Sequence, residues 1–372
     1  MSDDGAVDDG APIDPDVTQR TIEHLYEQGW SDGLPLVSVS APFVERFLAT
    51  TARDPQHVIG RMPQTGRVVT VQTAAINAAM AGCRPEYFPV VLAAWDALMA
   101  ERAANGGGWQ STSGPAPLIV VNGPVRHELG FNSTGGVFGP GFRPNATVAR
   151  AIGLIVRNAF GVRPHELEQA TQGVPGRWSI CFGENEEESP WPPLAAEHGI
   201  TGNAVSTTLL RTCEYVDNRH TADPEQLLGD FADTVGRSGS WIFKHGMAGL
   251  VLCPEHAQRL ADAGYSRRDV AAWLIEHSGR TTAQLARAGK DHADGRGVRF
   301  PGAAAGTDGT DGTDGTDGEA FQRTLPPVDP EAVLIAVAGA RTAGISMVVR
   351  YFADWSGTPV PVEAPVRAEQ TV

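Results

Sequence analysis

Four short apolar runs limit the folds open to this chain. They are Pro117-Leu118-Ile119-Val120-Val121, residues 177–182, Ala248 to Cys253 and Val333 to Ala338, and each breaks off into a polar loop. Runs of this length bounded by turn residues suit buried strands. Between them lie stretches with apolar residues at helical spacing: Thr18 to Gly29, Ala41 to Thr51, Gln72 to Met80, Pro85 to Ala103, Ala146 to Phe160, Pro224 to Val235, and the segments opened by Pro254 and by Ser266. The alternation predicts an α/β fold: a largely parallel or mixed sheet flanked by helices, divided into two lobes at 18–165 and 166–358. Smaller expectations are a strand edge at Trp109 to Ser113, a turn into a short helix at Gly161 to Leu167, and a last strand at Val333 to Ala338.

In open α/β sheets, ligands sit beyond the carboxyl ends of the strands. The loops after Val121, Phe182, Leu252 and Ala338 are therefore expected to converge on one pocket if their strands run parallel. The most prominent of these loops runs from Asn122 to Arg150 and is rich in glycine, proline and asparagine. Glycines let backbone approach a ligand closely.

Outside these segments the pattern fades. Residues 1–17 are acidic and expected to be disordered, as is the Gly-Thr-Asp repeat in an insertion at 303–320; the tail 359–372 reads as loose. With 372 residues, 41% of them hydrophobic, the chain can bury a large core. Its net charge of −15 argues against nucleic acid or an anionic membrane as partner. The acidic start lacks a secretory leader and no apolar run spans a bilayer, so the expected location is the cytoplasm. The four cysteines, Cys83, Cys181, Cys213 and Cys253, form no CxxC pair and are read as reduced.

Several side chains are candidates for chemistry. Cys83 follows a glycine-ended helix and precedes Arg84, a setting that lowers a thiol pKa; the competing reading is a small buried residue at a helix corner. Cys-Pro-Glu-His at 253–256 places Glu255 and His256 in a first helical turn just past a strand. There they serve as a proton-transfer pair or metal ligand, or as a solvated Glu beside a packed His. Glu184, Glu186, Glu187 and Glu188 are either a divalent-cation site or a solvated acidic face, and no HExxH or DxDxDG pattern accompanies them. Arg126, Asn132, Arg143 and Asn145 offer donors to a carboxylate or phosphate, with Asn145 placed to N-cap the following helix. No nucleotide fingerprint is present, since the spacing of Gly135 to Gly141 matches neither GxGxxG nor GxxxxGK[ST].

The strings Trp30-Ser31-Asp32-Gly33-Leu34-Pro35, Asn77 to Pro89, Asn122-Gly123-Pro124, Gly183 to Pro193 and Pro254-Glu255-His256-Ala257 together resemble a largely uncharacterised bacterial family of similar length. Some of its members are encoded beside short (seleno)cysteine proteins with a UGSC-type motif. The resemblance covers most of residues 20–350. It implies a link to thiol redox chemistry and a protein partner with a redox-active Cys or Sec. The Gly-Thr-Asp insertion departs from the family, and Gly339-Ala340-Arg341 lacks the extra glycines of a phosphate cradle.

The leading expectation is a cytoplasmic enzyme acting on a small anionic metabolite by lyase, hydratase or thiol-dependent transfer chemistry. Arg126 or Arg143 would hold the anion, His256 with Glu184 or Glu255 would move protons, and Cys83 would act as the thiol. The alternatives are a non-catalytic ligand-binding or scaffold subunit of a redox protein, marked by an exposed patch around Trp191 or Trp241, and a metal-dependent hydrolase. Homo-oligomer formation is compatible with each.

Overall fold

The computed structural model describes residues 14–105, 107–175, 180–237, 246–290, 321–341, 343–352 and 357–364. The acidic residues 1–13, the start of the 177–182 run, Trp241, the 303–320 insertion and the end of the tail lie outside them.

The first half of the chain forms α1 (Pro15–Glu27), α2 (Ala41–Leu48), the hairpin β1 (Val58–Met62) and β2 (Arg67–Thr70), α3 (Val71–Ala81), α4 (Phe88–Ala100), α5 (Arg102–Asn105), β3 (Ala116–Asn122), α6 (Val125–Glu128) and α7 (Arg143–Asn158). The second half adds β4 (Ile180–Gly183), α8 (Leu194–Glu197), β5 (Ala204–Asp217), α9 (Pro224–Gly236), β6 (Gly246–Leu252), α10 (Pro254–Asp262), α11 (Arg267–His277), β7 (Gly279–Thr281), α12 (Thr282–Arg287), β8 (Phe321–Arg323), β9 (Ile335–Val337), β10 (Ile345–Phe352) and β11 (Val360–Pro361).

The result is an α/β fold with a mixed seven-stranded sheet in the order β4-β3-β5-β10-β6-β9, with β11 also paired to β5. Strands β3 and β4 are parallel, as are β6 and β9, while β5 and β10 are antiparallel to their neighbours. The two parallel pairs thus point in opposite senses, and the condition set for loop convergence fails for the sheet as a whole. The sheet instead curls until its edges meet. The Asn185 N–H, just past β4, donates to the Val337 carbonyl at the end of β9, 2.7 Å away.

Side chains alternate across a strand, and here the alternation supplies two cores. Ile119 and Val121 of β3 join the core under α2, α3, α4 and α7; Leu118 and Val120 join the one under α9, α10 and α11. The small residues of α3 let it lie close to α7. A capping box of Thr70 and Thr73 starts α3, and Gly82 ends it at φ +90°, where a side chain would be strained.

Three local expectations need correction. Residues Gly107–Gln110 form a 3₁₀ turn, with the Trp109 indole donating to the Ala104 carbonyl, so no strand edge forms there. The Gly161 to Leu167 segment closes on itself through a Pro164–Glu168 bridge and makes no helix, with His165 at φ +67°. The last strand of the core is β10, which separates β5 from β6 and went unread because Ser346 and Arg350 interrupt its apolar run. Within the first expected disordered segment, Asp14 caps α1 and residues 15–17 are helical. No helix among the described residues is long and apolar enough to cross a membrane.

Candidate functional site

Strand β3 leaves the sheet at Asn122-Gly123-Pro124. Gly123 sits at φ +88°, and a Cβ there would lie 2.4 Å from the Gly202 carbonyl oxygen, so only glycine fits. The turn throws Arg126 back under the loop after β4. Its Nε donates to the Gly123 carbonyl at 3.0 Å and its Nη1 to the Glu184 carbonyl at 2.6 Å. Nη2 donates to Glu186 and to Glu187, each at 2.9 Å. Glu186 also accepts from the Gly123 N–H at 2.8 Å and from Asn122 at 2.9 Å. Arg126 beside Glu187 holds that carboxyl down at about 2 against partial burial, with help from His127. The cation gathered by this acidic loop is therefore a guanidinium. Among the described residues no three His, Cys, Asp or Glu side chains are grouped to hold a metal ion.

Glu184 lies deeper and is 0% exposed. One carboxylate oxygen accepts from Asn122 at 2.6 Å and from the Leu194 N–H at 2.7 Å. The other accepts from the Val337 N–H at 3.3 Å and from Arg267 at 3.2 Å. Arg267 is itself buried: it donates to the Ile335 and Pro192 carbonyls and lies 5.8 Å over the Trp191 ring. Its Nε stands 3.3 Å from Glu197, but without hydrogen-bond geometry. Trp191 is buried in this stack and donates to the Tyr265 carbonyl, so it offers no exposed patch.

The long loop after α6 is laid over the same strand ends. Asn132 and Asn145 bind each other: Asn145 accepts from the Asn132 N–H at 2.9 Å and donates to its carbonyl at 3.1 Å. Asn145 thus pins the loop and does not N-cap α7, whose N-cap is Phe142 with no side-chain bond. The Gly183 N–H donates to the Asn132 carbonyl, and the Gly339 N–H to the Ser133 carbonyl. Asn185 donates to the Gly339 carbonyl at 3.2 Å. The loops after β3, β4 and β9 therefore meet. The loop after β6 joins from the side, since the Ala338 N–H donates to the Leu252 carbonyl.

That fourth loop carries Glu255 and His256. His256 is fully buried, with Nδ1 2.8 Å from the Ser346 hydroxyl and Nε2 3.0 Å from the Asn218 carbonyl. The carbonyl can only accept, so Nε2 carries the proton and Nδ1 accepts from Ser346. Burial depresses the His256 pKa below its ordinary value, against the pull of the Asn218 carbonyl, and the ring is neutral. Glu255 is half-buried and accepts from the Gly344 N–H at 2.9 Å. It lines an open hollow of about 540 Å³ together with Arg259, Arg341, Gln258 and Asp262. Arg341 reaches across to Glu188 at 3.4 Å, tying this hollow to the acidic loop.

Cys83 and Arg143 meet at the end of α3. Arg143 donates twice to the Gly82 carbonyl, at 2.9 and 3.1 Å, covering the end of α3. Burial pushes the Cys83 thiol up to about 12, outweighing Thr147, Arg143 and Arg150, so the expected low-pKa thiolate is not what this environment makes. Arg84 has no part in the shift. The structure thus brings Arg126 to the Glu184 carbonyl, Asn132 to Asn145, and Glu255 beside His256, and sets Arg143 on the Gly82 carbonyl next to Cys83. Arg126 has its guanidinium engaged by the protein itself.

Two residues central to this arrangement escaped the sequence reading. Arg267 lies in the first turn of α11, directly after its Ser266 N-cap. A cation at the positive end of a helix is disfavoured, and that was the available signal that a buried carboxylate compensates it. Ser346 faces inward on β10 and was hidden with its strand. No family model matches the chain, nor does any curated protein or solved structure.

Proposed function

We propose that this protein is an enzyme that acts on a small anionic metabolite by proton transfer, with the anion received in the hollow lined by Glu255, Arg259 and Arg341. The observation that carries this reading is Glu255 itself. It is a carboxylate in an open hollow beside two cations, held at one oxygen by the Gly344 N–H. A half-buried carboxylate oriented in this way can take a proton from a ligand anchored by a neighbouring guanidinium. Arg259 is partly committed to the Thr221 carbonyl at 2.6 Å. Arg341, whose contact among the described residues is a long one to Glu188, is the freer anchor. His256 acts from behind, as a positioning residue: a Cβ built on Gly344 would lie 3.2 Å from its Nε2, so the ring packs against the backbone that holds Glu255. A lyase or hydratase fits these groups better than thiol transfer, because Cys83 does not line the hollow and burial raises its pKa.

The non-catalytic ligand-binding reading has an observation of its own. His256, Glu184 and Arg126 are buried with their polar atoms turned to protein partners, as scaffolding groups are. Thermal-shift screening of small carboxylates and phosphate esters, followed by product detection on the hits, separates the two. The enzyme reading expects an anion that stabilises the wild type but not Arg341→Ala, and turnover that Glu255→Gln abolishes while ligand stabilisation persists. A stabilising anion that is never transformed supports the binding reading. Equal stabilisation of the wild type and Arg341→Ala overturns the placement of the site.

A further inference from the structure

A second, more enclosed cavity of about 170 Å³ lies at the opposite, N-terminal end of β3, in a part of the molecule that the proposed function does not use. Its wall brings Asp32 from the Trp30 to Pro35 turn together with Trp109, Pro115, Pro117, Val162 and Pro164, and with Gly153, Val156 and Arg157 of α7. The lining is apolar apart from three charged groups: Asp32, Glu168 and Arg157. The two carboxylates have donors. Asp32 accepts twice from Arg150 at 2.9 Å, and Glu168 accepts from the Ala170 N–H at 2.6 Å.

The unmet need is on the donor side. The Nε of Arg157 is buried without a hydrogen-bond partner, and its Nη2 has one contact at the limit of bonding distance, 3.5 Å to the Gly29 carbonyl. The Nε of Arg163, between the cavity-lining Val162 and Pro164, is likewise buried and unpartnered. Both side chains approach Gly29, where an added Cβ would stand 3.9 Å from Arg163. Burial, and then repulsion from Arg163, lower the pKa of Arg157, while Asp32 and Glu166 offset this in part. A guanidinium on the cavity wall whose buried Nε has no partner, with a second such Nε close behind it on Arg163, offers donors to an entering anion. The volume sets the size of what enters, since a cavity of about 150 Å³ holds a single benzene ring.

We propose that this cavity binds a small carboxylate with an apolar body, its oxygens taken by Arg157 and its body held by Trp109, Pro115 and Val156. It is separate from the hollow at Arg341, so failure of one leaves the other standing.

Calorimetric titration of the full chain with benzoate and with butyrate, using benzyl alcohol as the neutral analogue, provides the test. The carboxylates are expected to bind and to raise the melting temperature, and the alcohol to bind at least about tenfold more weakly, because a charged pair is lost. Arg157→Ala should cost about tenfold or more in carboxylate affinity. Gly153→Leu fills the cavity from α7 and favours the helix, so it should fold as well as the wild type yet abolish binding. The proposal is overturned if neither carboxylate binds the wild type in the millimolar range. It is equally overturned if benzyl alcohol matches benzoate, or if Arg157→Ala and Gly153→Leu bind as the wild type does.

Discussion

Glu184 and Arg267 form an ion pair at 3.2 Å in which neither side chain is more than 4% exposed. Four donors converge on the Glu184 carboxylate from four separate segments: Asn122, Leu194, Val337 and Arg267. The pair is a clasp, closing the curled sheet where β4 meets β9. Removing one partner of a buried pair strands the other charge, at a cost of about 3–5 kcal/mol. Glu184→Ala should lose stability of that order, measured by urea unfolding. Glu184→Gln should lose less, because it keeps one acceptor while setting an NH₂ against an N–H donor. Wild-type stability in Glu184→Ala would show that the clasp is not closed in solution.

A second expectation concerns pH. His256 has a folded pKa below its ordinary 6.5, so the unfolded chain binds a proton that the folded protein refuses. Stability therefore rises with pH across that interval: it is fully present above 6.5 and declines as the pH falls towards the folded value. Urea midpoints at about pH 5.5 and 7.5 should differ more in the wild type than in His256→Gln. Equal differences would assign the slope to other groups.

The thiols provide a third. With its pKa near 12, Cys83 is ionised to only about one part in 10⁵ at neutral pH. Cys181, Cys213 and Cys253 are also raised by burial, and Cys213 is the one that is partly exposed. Iodoacetamide should label Cys213 first in the native protein and the other three at the rate of unfolding, followed by mass spectrometry. Rapid native labelling of Cys83 would restore the thiol-transfer expectation.

What the sequence disclosed depended on periodicity. Helices such as Pro224–Gly236 and the strand under Val121 carry strong patterns, and the loops that leave the sheet at Val121, Phe182 and Ala338 do meet. Strand direction is not written in an apolar run, so a parallel convergence was expected where two opposed pairs of strands touch at a curled edge. The charged side chains were legible as candidates but not as partners. Arg126 and the glutamates at 186 and 187 attract each other from some sixty residues apart, and only the fold reveals that the guanidinium is the cation they enclose. Arg157 and Arg163 were passed over because an arginine on a helix and one in a turn look like ordinary surface; their missing partners are a property of packing alone.

The exit from β3 permits the sharpest comparison. Gly123 and Gly130 both have positive φ, +88° and +76°, but a Cβ at Gly123 would strike the Gly202 carbonyl at 2.4 Å, whereas nothing lies within 4 Å of one at Gly130. Gly130→Ala should therefore cost only the backbone penalty of a left-handed alanine, about 1 kcal/mol. Gly123→Ala adds a clash with main chain that cannot rotate away, and it displaces the Gly123 N–H from Glu186 and the Gly123 carbonyl from Arg126. Its cost should exceed that of Gly130→Ala by about 2 kcal/mol or more in urea unfolding. Equal costs would mean that the Gly202 turn gives way freely. The backbone at the mouth of the long loop would then be too soft to hold Arg126 under the acidic loop.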